Sequence, residues 1–107
     1  MMEKGIRTPA VDLFLEAILC LENKEEGYQF FEDICTIKEL NAIAQRFEVA
    51  KMLREENTYI DIAKVTRAST ATISRVNRSL NYGNKSYDML FARIQEKEEQ
   101  NIESDKA

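Results

Sequence analysis

Helix-start signals recur along this chain at spacings that suit a succession of helices of a few turns each. Thr8-Pro9, Asn23 with Glu26, Thr36-Ile37-Lys38-Glu39, Thr58 with Asp61, and Ser69 each put a capping side chain ahead of a stretch with helical apolar periodicity. A Ser, Thr or Asn at the N-cap accepts a bond from a backbone N–H that the first turn leaves unpaired. An acidic side chain three residues later can return the bond. One Pro and three Gly leave little of the turn chemistry that an all-β chain uses. The expected fold is all-α, with six helices and no strands.

The apolar stripes fill in the helices between those caps. Residues 10–22 place Val11, Phe14, Leu15, Ile18, Cys20 and Leu21 around more than half of the first helix. A helix that apolar, in so small a protein, packs on two sides, and a second chain is the natural second surface. Tyr28, Phe30, Phe31 and Ile34 mark the second helix, which Gly27 weakens. The third, about 37–56, carries Leu40, Ile43, Ala44, Phe47, Ala50 and Leu53, and Asn57 is suited to end it in a left-handed conformation. The fourth turns Ile62, Ala63 and Val65 inward, and the fifth turns Ile73, Val76 and Leu80 inward. Asn81-Tyr82-Gly83-Asn84 reads as a turn before a last amphipathic helix at about 85–95. The expected organisation is one domain over 1–95 and a charged, frayed or disordered tail over 96–107.

The net charge of −4 is unevenly distributed. Residues 58–85 hold Lys64, Arg67, Arg75, Arg78 and Lys85 against Asp61 alone, a local +4, while residues 1–57 carry −5 and residues 96–107 carry −3. Phosphate binding responds to the field of one face, so an acidic chain can still bind nucleic acid there. Cys20 and Cys35 lie in apolar helical patterns with no metal-type spacing, and they read as buried, reduced thiols. The chain has no His, no nucleophile–base arrangement and no Gly-rich phosphate loop, so no catalytic residue, metal or resident cofactor is expected. The run from Val11 to Leu21 is interrupted by Asp12 and Glu16 and lacks a signal-peptide cleavage pattern. Far short of the roughly 18 apolar residues that span a bilayer, it points to a cytoplasmic protein with no membrane partner.

Residues 58–80 combine two short capped helices, a tight turn and this basic charge, the layout of a helix-turn-helix. If Ile73, Val76 and Leu80 face inward, the other face of the second helix carries Thr70, Ala71, Ser74, Asn77 and Arg78. Short hydroxyls reach base edges or phosphates, Ala can touch a thymine methyl, and Arg75 and Arg78 suit phosphate or guanine. The free N–H groups at Ser69 to Ala71 form an anion site, and Thr72 and Arg67 complete the candidate DNA-contacting set. A polar-faced helix in an all-α core is the plainer alternative. The turn position occupied by Arg67 usually favours Gly, because it takes a positive φ. The expectation is that the turn differs slightly here, the alternative being strain tolerated for a basic group.

Thr36 with its capped helix, Arg46, Ala71-Thr72-Ile73-Ser74-Arg75 and Ser79-Leu80 together resemble the Trp repressor superfamily, and within it the YerC/YecD branch. The resemblance implies an intertwined all-helical homodimer whose two helix-turn-helix units enter successive major grooves of double-stranded DNA. Its base-reading positions fall on Thr70, Ala71 and Ser74. It also implies an effector pocket involving Thr36, Arg46, Arg75 and Ser79, occupied in the Trp repressor by tryptophan. Here Val76 stands where the family has glycine, and its branched side chain fills space that an indole needs. Tryptophan is therefore not carried over with the fold, and the resemblance leaves open whether another small-molecule corepressor acts. Phosphate contact or ion pairing with Glu48 is the other reading of Arg46 and Arg75. The expected function is a homodimeric, sequence-specific DNA-binding transcriptional regulator, a repressor by resemblance. The competing expectation is a helical protein–protein adaptor or antitoxin-like module with secondary DNA binding.

Overall fold

The structure, a computed structural model, describes residues 5–106. Six helices follow in order: α1 (Pro9–Leu19), α2 (Lys24–Ile34), α3 (Ile37–Arg54), α4 (Tyr59–Thr66), α5 (Thr70–Tyr82) and α6 (Ser86–Lys106). No strand occurs among the described residues. Two compact units divide the chain, one ending at Leu40 and the other beginning at Asn41.

The capping chemistry is in place. Thr8 accepts from the Val11 N–H at 3.2 Å, with Pro9 opening α1 where its missing N–H costs nothing. Asn23 accepts from Glu26 N–H at 2.9 Å, while the Glu26 carboxylate reaches back to the Glu22 N–H at 2.9 Å. Thr36 and Glu39 form a reciprocal box: the Thr36 N–H donates to Glu39 Oε1 at 2.9 Å and the Glu39 N–H donates to Thr36 Oγ1 at 3.0 Å. The bond from the Thr36 backbone, then that from its side chain, holds the Glu39 carboxyl below its ordinary value.

In the first unit α1 and α2 pair Phe14 with Phe30, ring centroids 5.8 Å apart, and Phe30 meets Phe31 edge-on. Neither helix contains a buried residue. In the second unit Val49, Ala50, Ile62, Ala68, Ile73 and Val76 form a closed core, with Tyr87 and Phe91 of α6 packed against it. Phe91 stacks on Phe47 at 4.5 Å and lies under the Arg54 guanidinium, which bonds Asp88 at 2.8 Å. That ion pair and cation–π contact anchor the start of α6 to the end of α3.

Several elements depart from the sequence expectation. α1 stops at Leu19, because Cys20 and Leu21 N–H groups tighten onto Ala17 and Ile18 carbonyls before the extended Asn23 cap. Glu56, not Asn57, takes the left-handed position after α3 (φ 64°). The Glu56 and Asn57 N–H groups close a Schellman motif on Leu53 and Met52, and the Asn57 side chain adds a bond to Met52 O at 3.1 Å. Asn81 and Tyr82 belong to α5 rather than to a turn, since Asn81 Nδ2 bonds back to Asn77 O within the helix. α6 continues through the stretch read as a frayed tail, where no Gly or Pro interrupts strong helix formers. Val65 is 59% exposed, lying off the Ile62–Thr66 row that faces inward. Cys20 is exposed and Cys35 half-buried; both are free.

Candidate nucleic-acid interface

The helix pair α4–α5 starts from two matched caps. Thr58 accepts from the Asp61 N–H at 3.1 Å and Ser69 accepts from the Thr72 N–H at 3.1 Å, each with extended backbone. Ile62 and Ile73 are completely buried and Val76 is 2% exposed, so the crossing of the two helices is pinned by apolar contact. Half-buried Ala63 packs against this core.

That inner row fixes the outer one. Thr70, Ala71, Ser74, Arg75 and Arg78 are all exposed, a hydroxyl-rich and basic face turned away from Ile73 and Val76. Thr72 and Asn77 are half-buried. The Thr72 hydroxyl accepts from Ser69 Oγ at 3.1 Å, and the Asn77 side chain accepts from Asn81 at 3.3 Å. Those two side chains are thus engaged in the helix's own cap and surface bonding.

The turn between the helices is where the sequence expectation fails. Arg67 is left-handed, φ 65° and ψ 12°, the very geometry a glycine would take. A left-handed residue with a Cβ costs about 1–2 kcal/mol. Four bonds hold the turn against that cost. The Arg67 N–H donates to Ala63 O at 2.9 Å. The buried Thr66 hydroxyl donates to Ile62 O at 2.8 Å and accepts from the Ala68 N–H at 3.1 Å. Gln45 of α3 donates through Nε2 to Thr66 O at 2.9 Å. Neither Gln45 nor Thr66 was singled out in the sequence. A threonine just before a non-glycine turn residue is a usable local signal, whereas a bond spanning 21 residues leaves none.

Lys85 is a further unforeseen participant. It is left-handed (φ 64°), and its Nζ donates to Asn81 O at 3.0 Å near the C-terminal end of α5, where exposed carbonyls favour a cation. Gly83 ends α5 through its N–H to Ser79 O at 2.9 Å.

Of the residues implied as an effector pocket, Arg46, Arg75 and Ser79 are exposed, and no hydrogen bond or ion pair joins them to one another among the described residues. Thr36 is committed to the α3 capping box. Val76 lies in the core with Ile73. Among the described residues no group of three or more His, Cys, Asp or Glu side chains gathers to hold a metal, and no helix is long and apolar enough to cross a membrane.

Residues 9–95 match the family model described as Trp repressor protein. The uncharacterized protein YerC of Bacillus subtilis is 54% identical over 93 residues, 87% of this chain and 89% of that protein. A crystal structure of a TrpR-like protein from Eubacterium eligens superposes with a TM-score of 0.81 at 61% identity, covering 84% of this chain and 93% of that one. A candidate Trp repressor from Staphylococcus aureus superposes with a TM-score of 0.83 at 48% identity, covering 89% and 95%. The chain shares the all-helical fold of these structures and belongs to the Trp repressor family.

Proposed function

We propose that the protein is a sequence-specific DNA-binding regulator of transcription, a repressor that acts as a homodimer. The observation that carries this reading is the exposed face of α5. Thr70, Ala71, Ser74, Arg75 and Arg78 stand opposite a completely buried Ile73, on the second helix of a capped pair, within the one clearly basic segment of an acidic chain. In this reading Thr70, Ala71 and Ser74 meet base edges, Arg75 and Arg78 meet phosphate or guanine, and the Ser69 cap leaves α5 amides free for a phosphate.

The dimer part rests on the first unit. Leu13, Leu19 and Ile37 are 67%, 84% and 82% exposed, large apolar side chains that a second copy would cover. The same surface would serve the adaptor reading if the covering chain were a different protein. The effector part rests on Val76. At 2% exposure it belongs to the packed core, so DNA binding in this reading proceeds without tryptophan.

The test is selection of genomic fragments by the purified protein, followed by anisotropy across a salt series. The expected result is a fragment bound with steep salt dependence, because phosphate contacts release counterions. Arg75→Ala and Arg78→Ala are expected to weaken it. No binding to any fragment at low salt by the folded protein would end the reading. Sedimentation should give the mass of two chains, and adding tryptophan should leave both affinity and melting temperature unchanged.

A further inference from the structure

The cleft floors, the thiols and the acidic end of α6 each lack a feature that names a ligand. The α4–α5 turn does not. It holds a left-handed non-glycine residue, and Arg67 is basic, exposed and without an ion-pair partner among the described residues. A strained conformation persists only where its surroundings over-determine it. Here the surroundings are specific. Thr66 is 7% exposed and uses its hydroxyl twice, as donor to Ile62 O and as acceptor from Ala68 N–H. Its carbonyl is taken from outside the helix pair, by Gln45 Nε2 of α3 at 2.9 Å.

We infer that Gln45 and Thr66 form a clamp that holds Arg67 left-handed so that its guanidinium meets a DNA phosphate beside the N-terminus of α5. Gln45 is thereby a positioning residue for DNA binding, although it lies on α3 and not on the helix-turn-helix. This deepens the DNA-binding reading and rests on it. Glycine would satisfy the backbone at this position with no strain, so the side chain is what the site gains from arginine. The side chain at that point is a long cation, two residues ahead of the Ser69 cap whose helix offers free amides to an anion. A cation there and the α5 amides would hold the same stretch of backbone. Without the Gln45 bond the Thr66–Arg67 peptide plane keeps only the Arg67 N–H bond to Ala63 O. The turn is then less firmly held left-handed, and the arginine side chain leaves it from a backbone no longer fixed beside the start of α5.

The experiment uses the full chain and a fluorescein-labelled mixed-sequence duplex of about 30 base pairs, roughly three helical turns. Non-specific DNA suffices, because phosphate contacts carry that binding. Affinity is measured from low to moderate salt for the unsubstituted protein, Arg67→Gly, Gln45→Met and the double variant. Gln45→Met keeps the side-chain length and loses the donor. Melting is followed alongside. For Arg67→Gly the expected result is a melting temperature equal or higher, binding weakened several-fold at low salt, and a log–log salt slope smaller by about one. Gln45→Met should also weaken binding and lower the slope, yet add nothing in the Arg67→Gly background. A purely structural Gln45 would change melting and leave the slope alone. Undiminished binding by Arg67→Gly overturns the inference, as does an unchanged slope for Gln45→Met or a fully additive double variant. If the unsubstituted protein itself binds no DNA, the DNA-binding reading falls and this inference with it.

Discussion

The two units of this chain are built from similar material and reach opposite results. Beyond Asn41, Ile62, Ile73 and Val49 are completely buried and everything else in that unit is arranged around them. Before Leu40, α1 carries as broad an apolar surface as any helix in the chain, yet Leu13 is 67% exposed and Leu19 84%. Apolar residues supply the drive to be covered, and only a surrounding set of elements supplies the cover. The second unit has that set in α3, α4, α5 and α6. The first offers α1, α2 and one turn of α3, and its Phe14–Phe30–Phe31 cluster is the most it closes by itself.

Truncation separates the two kinds of apolar residue. Ile62→Ala leaves a cavity in a closed core and should cost about 2–5 kcal/mol in chemical denaturation. Leu19→Ala should stay within about 0.5 kcal/mol at low protein concentration, where its face is open. At high concentration the unsubstituted protein should gain stability by mass action, and Leu19→Ala should lose part of that gain. A Leu19→Ala cost equal to that of Ile62→Ala at every concentration would show that the first unit has an interior after all.

Gly83 tests the end of α5 in the closed unit. A Cβ built there would stand 2.5 Å from the Ser79 carbonyl oxygen, a backbone atom that cannot step aside. Gly83→Ala should therefore cost about 1–3 kcal/mol, read from thermal or denaturant unfolding. If its cost were no larger than that of an ordinary surface change, the helix would have an alternative way to end.

What could be read from the sequence divides by range. The N-caps of α1 to α5 were legible, because the cap and the amide it serves lie three residues apart, as in Thr36 with Glu39 or Thr58 with Asp61. The inner row of Ile73 and Val76 was legible for the same reason, since one helix face is a matter of local spacing. The C-terminal ends were not. They depend on which residue accepts a positive φ, and Glu56 and Arg67 accept it where Asn57 and an altered turn were expected. The choice at Arg67 is made by Gln45 from 21 positions before Thr66, and nothing local announces such a bond. The polar face of α5 was therefore readable as a candidate site, while the apparatus that orients its approach was not. Cys20 shows the same limit from the other side: an apolar pattern placed it inside, but the unit around it has no inside.

A smaller effect separates local capping from the packing of either unit. Glu39 is fully exposed, and its carboxyl is held low by the Thr36 backbone N–H first and the Thr36 side chain second. A lowered folded-state value means its contribution is fully present above the ordinary carboxylate range. The contribution is lost as pH falls through the lowered value. Acid titration followed by circular dichroism should show a loss of helix that Glu39→Gln flattens. Thr36→Ala keeps the backbone N–H that holds Glu39, so it should leave most of the acid dependence in place while costing about 1 kcal/mol at neutral pH for the lost cap. If the acid loss survives unchanged in Glu39→Gln, it arises elsewhere.

Gly27 gives the finest test of what covers the first unit. It lies in the interior of α2, and a Cβ built there meets no atom within 4 Å. With that space open, Gly27→Ala should stabilise the protein by about 0.5–1 kcal/mol, through a less flexible unfolded chain and better helix propensity. Urea unfolding at low concentration should show this gain. The informative measurement is the same variant at concentrations where chains associate. If a second copy packs its backbone onto α2 at Gly27, the added methyl is forced into that contact and the gain reverses as association sets in. If the second copy covers only α1, the gain persists at every concentration. The sign of one methyl group's effect thus distinguishes a close helix crossing at α2 from a cover confined to α1. It also shows which of the two helices supplies the surface that the first unit lacks.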